Sequence, residues 1–142
     1  GVGPCLNLSA NQKTKTQNFC LLNVSKGAAG SKTKLLYSFV NQMVAAAFEL
    51  SAERLLQNER GDARTSRARQ IAMYLINTSL SQSFVEVAEF YQRDRTTVSH
   101  ACTVVEELRD IAEFDARLSE LEKTIETVLT LLKTGEEVRN GC

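Results

Sequence analysis

The segment from residue 93 to residue 108 has the residue spacing of a helix with one apolar face. Its apolar side chains recur every three or four positions, at Val98, Ala101, Cys102, Val105 and Leu108. The opposite face is polar and carries Thr96, Ser99, His100 and Thr103. Asp94 precedes this helix and is a residue type that accepts hydrogen bonds from the free N–H groups of a first turn. A chain with this segment must bury one side of a short helix and leave its polar start in solvent.

A second helix is predicted directly upstream. Ser83 and Glu86 have the spacing of a capping box, and the apolar residues Val87, Ala88 and Tyr91 follow them. Only two residues then separate the two helices. So short a turn indicates a helix-turn-helix, in which the second helix enters the major groove of DNA. Spacing alone also allows an ordinary helical core with a solvated polar face.

The residue identities favour the DNA-binding interpretation. Residues 93–101, Arg-Asp-Arg-Thr-Thr-Val-Ser-His-Ala, resemble the Arg-Asp-His-Thr-Thr-Val-Leu-His-Ala signature of the C-terminal DNA-binding domain of the DnaA family of bacterial replication initiators. Residues 67–75 resemble the Ala-Arg-Xaa-Arg-Gln-Xaa-Ala-Met segment that precedes the signature there. The resemblance extends from about residue 35 to residue 132. It implies an all-α helix-turn-helix bundle over residues 31–142, with a C-terminal helix. Residues 1–30 are rich in Asn, Lys, Thr, Ser and Gly, and this composition predicts an irregular N-terminal arm.

The resemblance also implies roles for individual residues. Asp94, Arg95 and Thr96 match positions that face base edges in the major groove. Positions that hold phosphates are matched by Arg69, Gln70, Thr97 and His100, and backbone N–H groups at Ser83 and Phe84 are expected to add a helix-terminus contribution. The minor-groove arginines of the family have plausible counterparts in Arg60 and Arg64. The alternatives are that Asp94 is purely an N-cap and that the Arg95 side chain is simply solvated.

The sequence departs from the family pattern in three places. Arg95 stands where the family usually has histidine, and a guanidinium, unlike imidazole, can bind a guanine edge through two hydrogen bonds. One residue of the family's Gly-Gly turn is missing near Gln92. The third departure is the arginine loop, residues 57–66, which reads QNERGDARTS and has acidic residues interspersed.

The distribution of charge is compatible with a basic DNA-binding face. The chain has 17 Lys and Arg against 17 Asp and Glu, so its formal charge is zero. Residues 54–69 nevertheless contain five arginines against Glu59 and Asp62, whereas residues 101–142 contain ten acidic and five basic groups. Phosphate attraction acts locally because salt screens charge over about 8 to 10 Å.

Several other functions are not expected. At 142 residues the chain is too short for the family's ATPase together with a DNA-binding domain. Residues 27–33, GAAGSKT, lack the phosphate-loop spacing and are more typical of a flexible linker. His100 is the only histidine, and no nucleophile with an orienting third group is evident, so no enzymatic activity is predicted.

The same residues predict no cofactor and no metal site. The four cysteines, at positions 5, 20, 102 and 142, are too far apart to form a CxxC pair for a structural zinc ion. No apolar stretch of 18 residues and no signal peptide are evident, so we expect a cytoplasmic, nucleoid-associated protein with reduced thiols and no membrane partner.

Periodicity predicts further helices at about residues 31–49, 51–56, 66–77 and 115–132. The last of these has apolar residues at alternating intervals of three and four, starting just ahead of it, at Ile111, Phe114, Leu118, Leu121, Ile125, Val128 and Leu132. Such a seam either packs on its own domain or joins a second copy or a protein partner.

Two functional hypotheses remain. The first is sequence-specific binding of double-stranded DNA, at sites similar to DnaA boxes, in the regulation of replication initiation or transcription. The second is a protein-interaction adaptor that kept the fold and lost DNA binding, as the acid-interrupted loop and the acidic C-terminal third suggest. No small-molecule substrate is expected in either case.

Overall fold

The described residues of the computed structural model form an all-α fold, as the sequence predicted. The backbone is described for residues 26–57 and 61–141, and side chains for residues 32–57 and 61–135. Within these ranges there are six helices and no strand. The helices are α1 (Lys26–Ala47), α2 (Ala52–Leu56), α3 (Ala63–Ser79), α4 (Phe84–Tyr91), α5 (Arg95–Leu108) and α6 (Ala112–Gly141).

The first helix begins earlier than the sequence predicted. α1 starts at Lys26, five residues before the expected start at residue 31, so it overlaps the predicted arm. The interpretation of residues 27–33 as a flexible linker was therefore wrong, because their backbone is helical. Its two alanines are good helix formers and no proline interrupts it, whereas its two glycines weaken the helix. The rest of the predicted arm, residues 1–25, lies outside the described residues.

The bounds of α3 and α6 also differ from the prediction. α3 begins at Ala63 because the Asp62 side chain accepts a hydrogen bond of 2.8 Å from the Thr65 N–H and so acts as the N-cap. α6 begins three residues before the predicted start and continues to Gly141, beyond the end of its buried apolar stripe. Hydrophobic periodicity locates the part of a helix that packs, whereas capping and local propensity decide where it ends.

The core is organised around α3. This helix is buried on almost every side from Ala68 to Ser79, and it contacts α1, α2, α4, α5 and α6. Val40 and Val44 pack onto it from α1, and Val98 and Val105 from α5 belong to the same buried cluster. Burial of each such side chain contributes roughly 1.5 to 3 kcal/mol. The α4–α5 pair is therefore mounted on a helix that has little freedom to move.

Buried hydrogen bonds fix α1 against its neighbours. The Tyr91 hydroxyl of α4 donates to Asn41 Oδ1 at 2.7 Å, and Asn41 Nδ2 donates to the Ala52 carbonyl at 3.1 Å. The Tyr37 hydroxyl donates to Gln82 Oε1 at 2.6 Å, just before α4 begins. These bonds satisfy polar groups that would otherwise be costly to bury, and they set the position of α4 on the bundle.

The C-terminal helix packs on its own domain. Leu118 and Ile125 of the predicted seam lie in the core cluster, and Leu129, which the seam did not include, joins them. Arg109 fastens the start of α6, because its guanidinium binds the carboxylates of Asp115 and Glu122 and also donates to the Tyr74 hydroxyl of α3. The centre of the seam is thus occupied within a single chain.

Two leucines on α6 provide a test of this packing. Leu118 is 2% exposed and Leu131 is 65% exposed. We expect Leu118→Ala to lower the free energy of unfolding by about 2 to 4 kcal/mol, because it leaves a cavity in the core. Leu131→Ala should change it by less than about 0.5 kcal/mol. Urea denaturation measures both, and equal small losses would show that α6 does not pack as described.

Candidate nucleic-acid interface

The turn between α4 and α5 has the short geometry that the sequence predicted. α4 begins at the Ser83 N-cap, whose hydroxyl accepts a hydrogen bond of 3.1 Å from the Glu86 N–H, and it ends at Tyr91. Gln92 then adopts a left-handed conformation, with φ 56° and ψ 50°. The Arg93 N–H donates back to the Ala88 carbonyl at 2.9 Å and closes the helix end. A single non-glycine residue, Gln92, thus makes the reversal between α4 and α5.

The first turn of α5 presents its polar side chains to solvent. Val98 is the first buried residue of the helix, whereas Asp94, Arg95 and Thr96 are exposed. Asp94 occupies the N-cap position, and its carbonyl accepts from the Thr97 N–H at 3.0 Å, but its carboxylate makes no capping hydrogen bond. Asp94 is therefore the N-cap residue by position, and its base contact stays a prediction. Three adjacent side chains of different hydrogen-bonding character point away from the core.

The residues predicted to bind phosphates lie in different environments. His100 and Ser83 are exposed, and Thr97 is half-buried on the outer side of α5. Phe84 is also half-buried and packs against the core, so only its backbone N–H at the start of α4 is suited to bind an anion. Gln70 is half-buried, and its Oε1 accepts a hydrogen bond of 3.2 Å from Arg67.

Arg69 has a structural role that the sequence did not predict. Its side chain is buried, with 6% exposure, and Nε donates to the Leu55 carbonyl at 2.7 Å. Nη2 donates to the carbonyls of Arg54 and Gln57 at 3.3 and 3.4 Å. Burial, and then the nearby Arg93 guanidinium, lower the pKa of Arg69. Arg69 therefore holds the end of α2 against α3, and the phosphate contact assigned to it stays a prediction.

One acidic residue of the arginine loop has a structural role. Asp62 caps α3, and hydrogen bonds from Thr65 lower the pKa of its carboxyl group. Its second oxygen lies 4.0 Å from the Arg54 guanidinium. Of the two predicted minor-groove residues, Arg64 is exposed in the first turn of α3, and Arg60 lies outside the described residues. Asp62, one of the two acidic loop residues on which the adaptor hypothesis was based, is thus explained by its role as a helix cap.

The sequence patterns did not assign Arg93 to the candidate interface. Its Nη2 donates to the Gln57 carbonyl at 2.9 Å, which links the turn before α5 to the end of α2. The two residues are 36 positions apart in sequence, so no local pattern could have paired them. A basic residue within a helix-turn-helix turn was the only available signal.

In the described part of the chain, no helix is long and apolar enough to cross a membrane.

Comparison with known proteins shows a similarity that covers the helix pair. Residues 38–105, from the middle of α1 to α5, match the family model described as the bacterial DnaA protein helix-turn-helix. This part of the chain is therefore similar to the DnaA helix-turn-helix domain. The match implies DNA binding. The family model ends before α6, so the match covers the α4–α5 pair and the helices that pack against it.

Individual relatives show the same similarity. The chain is 43% identical over 67 residues to the chromosomal replication initiator protein DnaA of Aquifex aeolicus, a match that covers 46% of this chain. It is 34% identical over 76 residues to DnaA of Desulfotalea psychrophila and 37% identical over 81 residues to DnaA of Rhizobium meliloti, which covers 54% and 56% of this chain. The matches span only 16% to 17% of the length of these relatives. The similarity therefore concerns one domain of the initiator.

The buried position of Arg69 predicts that its replacement affects folding. Arg69→Met removes three hydrogen bonds from a charged donor group, and we expect it to lower the free energy of unfolding by about 2 to 3 kcal/mol. Arg67→Met removes one partly exposed contact two residues earlier and should cost about 0.5 kcal/mol or less. Urea denaturation of both variants measures the difference. A fully stable Arg69→Met protein with reduced DNA affinity would instead favour the phosphate-binding role.

The left-handed residue in the turn gives a second prediction. Gln92→Gly should raise the free energy of unfolding by about 0.5 to 1 kcal/mol, because a left-handed conformation costs about 1 to 2 kcal/mol in a residue with a Cβ atom and glycine's larger unfolded-state entropy offsets part of the gain. Gln92→Val should be destabilising, since β-branched residues tolerate positive φ poorly. Thermal unfolding followed by circular dichroism ranks the three proteins. Equal melting temperatures for the three proteins would mean that Gln92 does not adopt the left-handed conformation in solution.

Proposed function

We propose that this protein binds double-stranded DNA in a sequence-specific manner, with α5 in the major groove. The observation that carries the proposal is the exposed first turn of α5, where Asp94, Arg95 and Thr96 stand clear of the core and no capping bond occupies the Asp94 carboxylate. The helix-turn-helix match over residues 38–105 supports the docking mode. A helix buried on one side and polar at its start is suited to insertion into a groove.

The three side chains offer complementary chemistry for base readout. The Arg95 guanidinium can donate two parallel hydrogen bonds to N7 and O6 of guanine, and the Asp94 carboxylate can accept from the amino group of cytosine. Thr96 provides a hydroxyl for either type of partner and a methyl group that can contact thymine. The proposed site thus distinguishes base pairs through donors, acceptors and shape at neighbouring positions.

The surrounding residues are suited to hold the DNA backbone. We propose that Thr97, His100 and Gln70 bind phosphates, together with the backbone N–H groups at the start of α4 after Ser83. We further propose that Arg64 enters the adjacent minor groove from the first turn of α3, along with Arg60. Phosphate contacts place the domain on the duplex and carry no sequence information themselves.

The relatives support a proposal for the biological role. Because the matched proteins are chromosomal replication initiators, we propose that the preferred sites resemble DnaA boxes and that binding regulates replication initiation or transcription. This role would place the protein on chromosomal DNA in the cytoplasm. A second copy or another protein binding α6 would have to use residues outside the core, such as the exposed Leu131 and Leu132.

Selection from a random duplex library tests the proposal. We expect the wild-type protein to enrich one motif, and its affinity for that motif should fall steeply with salt because bound phosphates release counterions. The motif should share bases with DnaA boxes. Failure to enrich any motif, even at low salt, would reject sequence-specific binding and favour the adaptor hypothesis.

Arg95 provides the sharpest mutational test. We expect Arg95→Ala to weaken binding to the best site by about 1 to 3 kcal/mol and to relax preference at one or two base pairs. Arg117→Ala removes an exposed charge from α6 that is not among the proposed DNA contacts, and should leave the motif and affinity unchanged. Selection and fluorescence anisotropy with each variant give both quantities. If Arg95→Ala retained the same motif and affinity, base readout by this residue would be excluded.

A further inference from the structure

Two arginines from different parts of the chain converge on one backbone oxygen. The Gln57 carbonyl, at the C-cap of α2, accepts hydrogen bonds from Arg93 at 2.9 Å and from Arg69 at 3.4 Å. Arg93 belongs to the turn before α5, and Arg69 belongs to α3. The end of α2 is thus the point at which the supporting helix and the DNA-facing turn are joined.

This junction supplies a constraint that α5 otherwise lacks at its start. The first buried residue of α5 is Val98, and the side chains from Asp94 to Thr96 are exposed, so packing does not hold the first turn laterally. The backbone bond from Arg93 to Ala88 fixes α5 only relative to α4. Residues 93–97 form one side-chain hydrogen bond to another part of the described chain, and Arg93 is its donor.

The charges at the junction show that Arg93 is placed for this bond rather than for an ion pair. In the described part of the chain, neither Arg69 nor Arg93 forms a salt bridge, although the Arg93 guanidinium is close enough to lower the pKa of Arg69. Two like charges are tolerated side by side because their N–H groups share the carbonyl-rich end of a helix. A hydrogen bond from a charged donor is also stronger than one between neutral groups.

We propose that Arg93 is a positioning residue, which fixes the first turn of α5 relative to α2 and α3. Because the two parts are held together, base readout by Arg95 and DNA binding by Arg64 occur together. This inference rests on the proposed function only for its consequence in DNA binding. The junction itself belongs to the free protein. A rigid support of this kind matters because base contacts require placement within about 0.5 Å.

Hydrogen exchange of the DNA-free protein tests the junction directly. We expect Arg93→Met to accelerate exchange of the Thr97 and Val98 amides in the first turn of α5, and of amides at the start of α3, by about five- to tenfold. Arg117→Met is the control, since it removes an exposed arginine of α6 that does not bind Gln57, and should leave these rates unchanged. Unchanged exchange in Arg93→Met would overturn the proposal, whatever happens with DNA.

DNA binding then separates positioning from direct phosphate contact. With the motif selected by the wild-type protein, Arg93→Met should bind about tenfold more weakly and relax the base pairs read by Arg95, while the salt dependence stays the same. Arg93→Lys keeps the charge but not the planar donor group, so it should not restore the motif. A salt slope reduced by about one in Arg93→Met, with full rescue in Arg93→Lys, would show a phosphate ligand instead and overturn the proposal.

The two proposals fail in different ways. If the wild-type protein enriched no motif but Arg93→Met still accelerated exchange on both sides of the junction, sequence-specific binding would be rejected and the positioning role would stand. If the wild-type protein enriched a motif but Arg93→Met altered neither exchange nor base preference, the positioning role alone would be rejected.

Discussion

Burial of α3 on nearly all sides is the constraint on which the rest of the structure depends. Five other helices contact this one helix, and it contributes an almost continuous buried run from Ala68 to Leu80. A helix in this position cannot rotate without exposing apolar surface, so each neighbour is packed against a fixed reference. The polar bonds of Tyr91 and Tyr37 then select one arrangement of α1 and α4 around it. The DNA-facing turn inherits its position from this core.

The arginines show how one residue type serves different purposes in the same small domain. Arg109 is neutralised by two carboxylates and fastens α6, whereas Arg69 is buried against backbone carbonyls and fastens α2. Arg95 and Arg64 remain exposed, which is the condition for binding a base edge or the DNA backbone. The proposed DNA-binding surface therefore combines two kinds of basic residue: those that hold the helices together and those that are exposed.

Much of the fold could be predicted from residue patterns, because helix periodicity and capping are local. The α4–α5 pair, the Ser83 cap and the apolar stripe from Val98 to Val105 were all predicted correctly. Predictions were weaker where the deciding interaction is not local. The start of α3 depends on the Asp62 cap, and the seam of α6 was ambiguous because Leu118 and Ile125 fit a partner chain as well as their own core.

The sequence by itself determined the helix-turn-helix, its similarity to DnaA and the polar start of α5, since each depends on a short run of residues. Tertiary structure decided what each basic side chain can do. Arg69 and Arg95 look equally available in the sequence, but one lies in the core and the other in solvent. The meeting of Arg69 and Arg93 on the Gln57 carbonyl likewise joins residues 12 and 36 positions away from it. Such contacts arise only when the chain folds, because packing around α3 brings distant segments together.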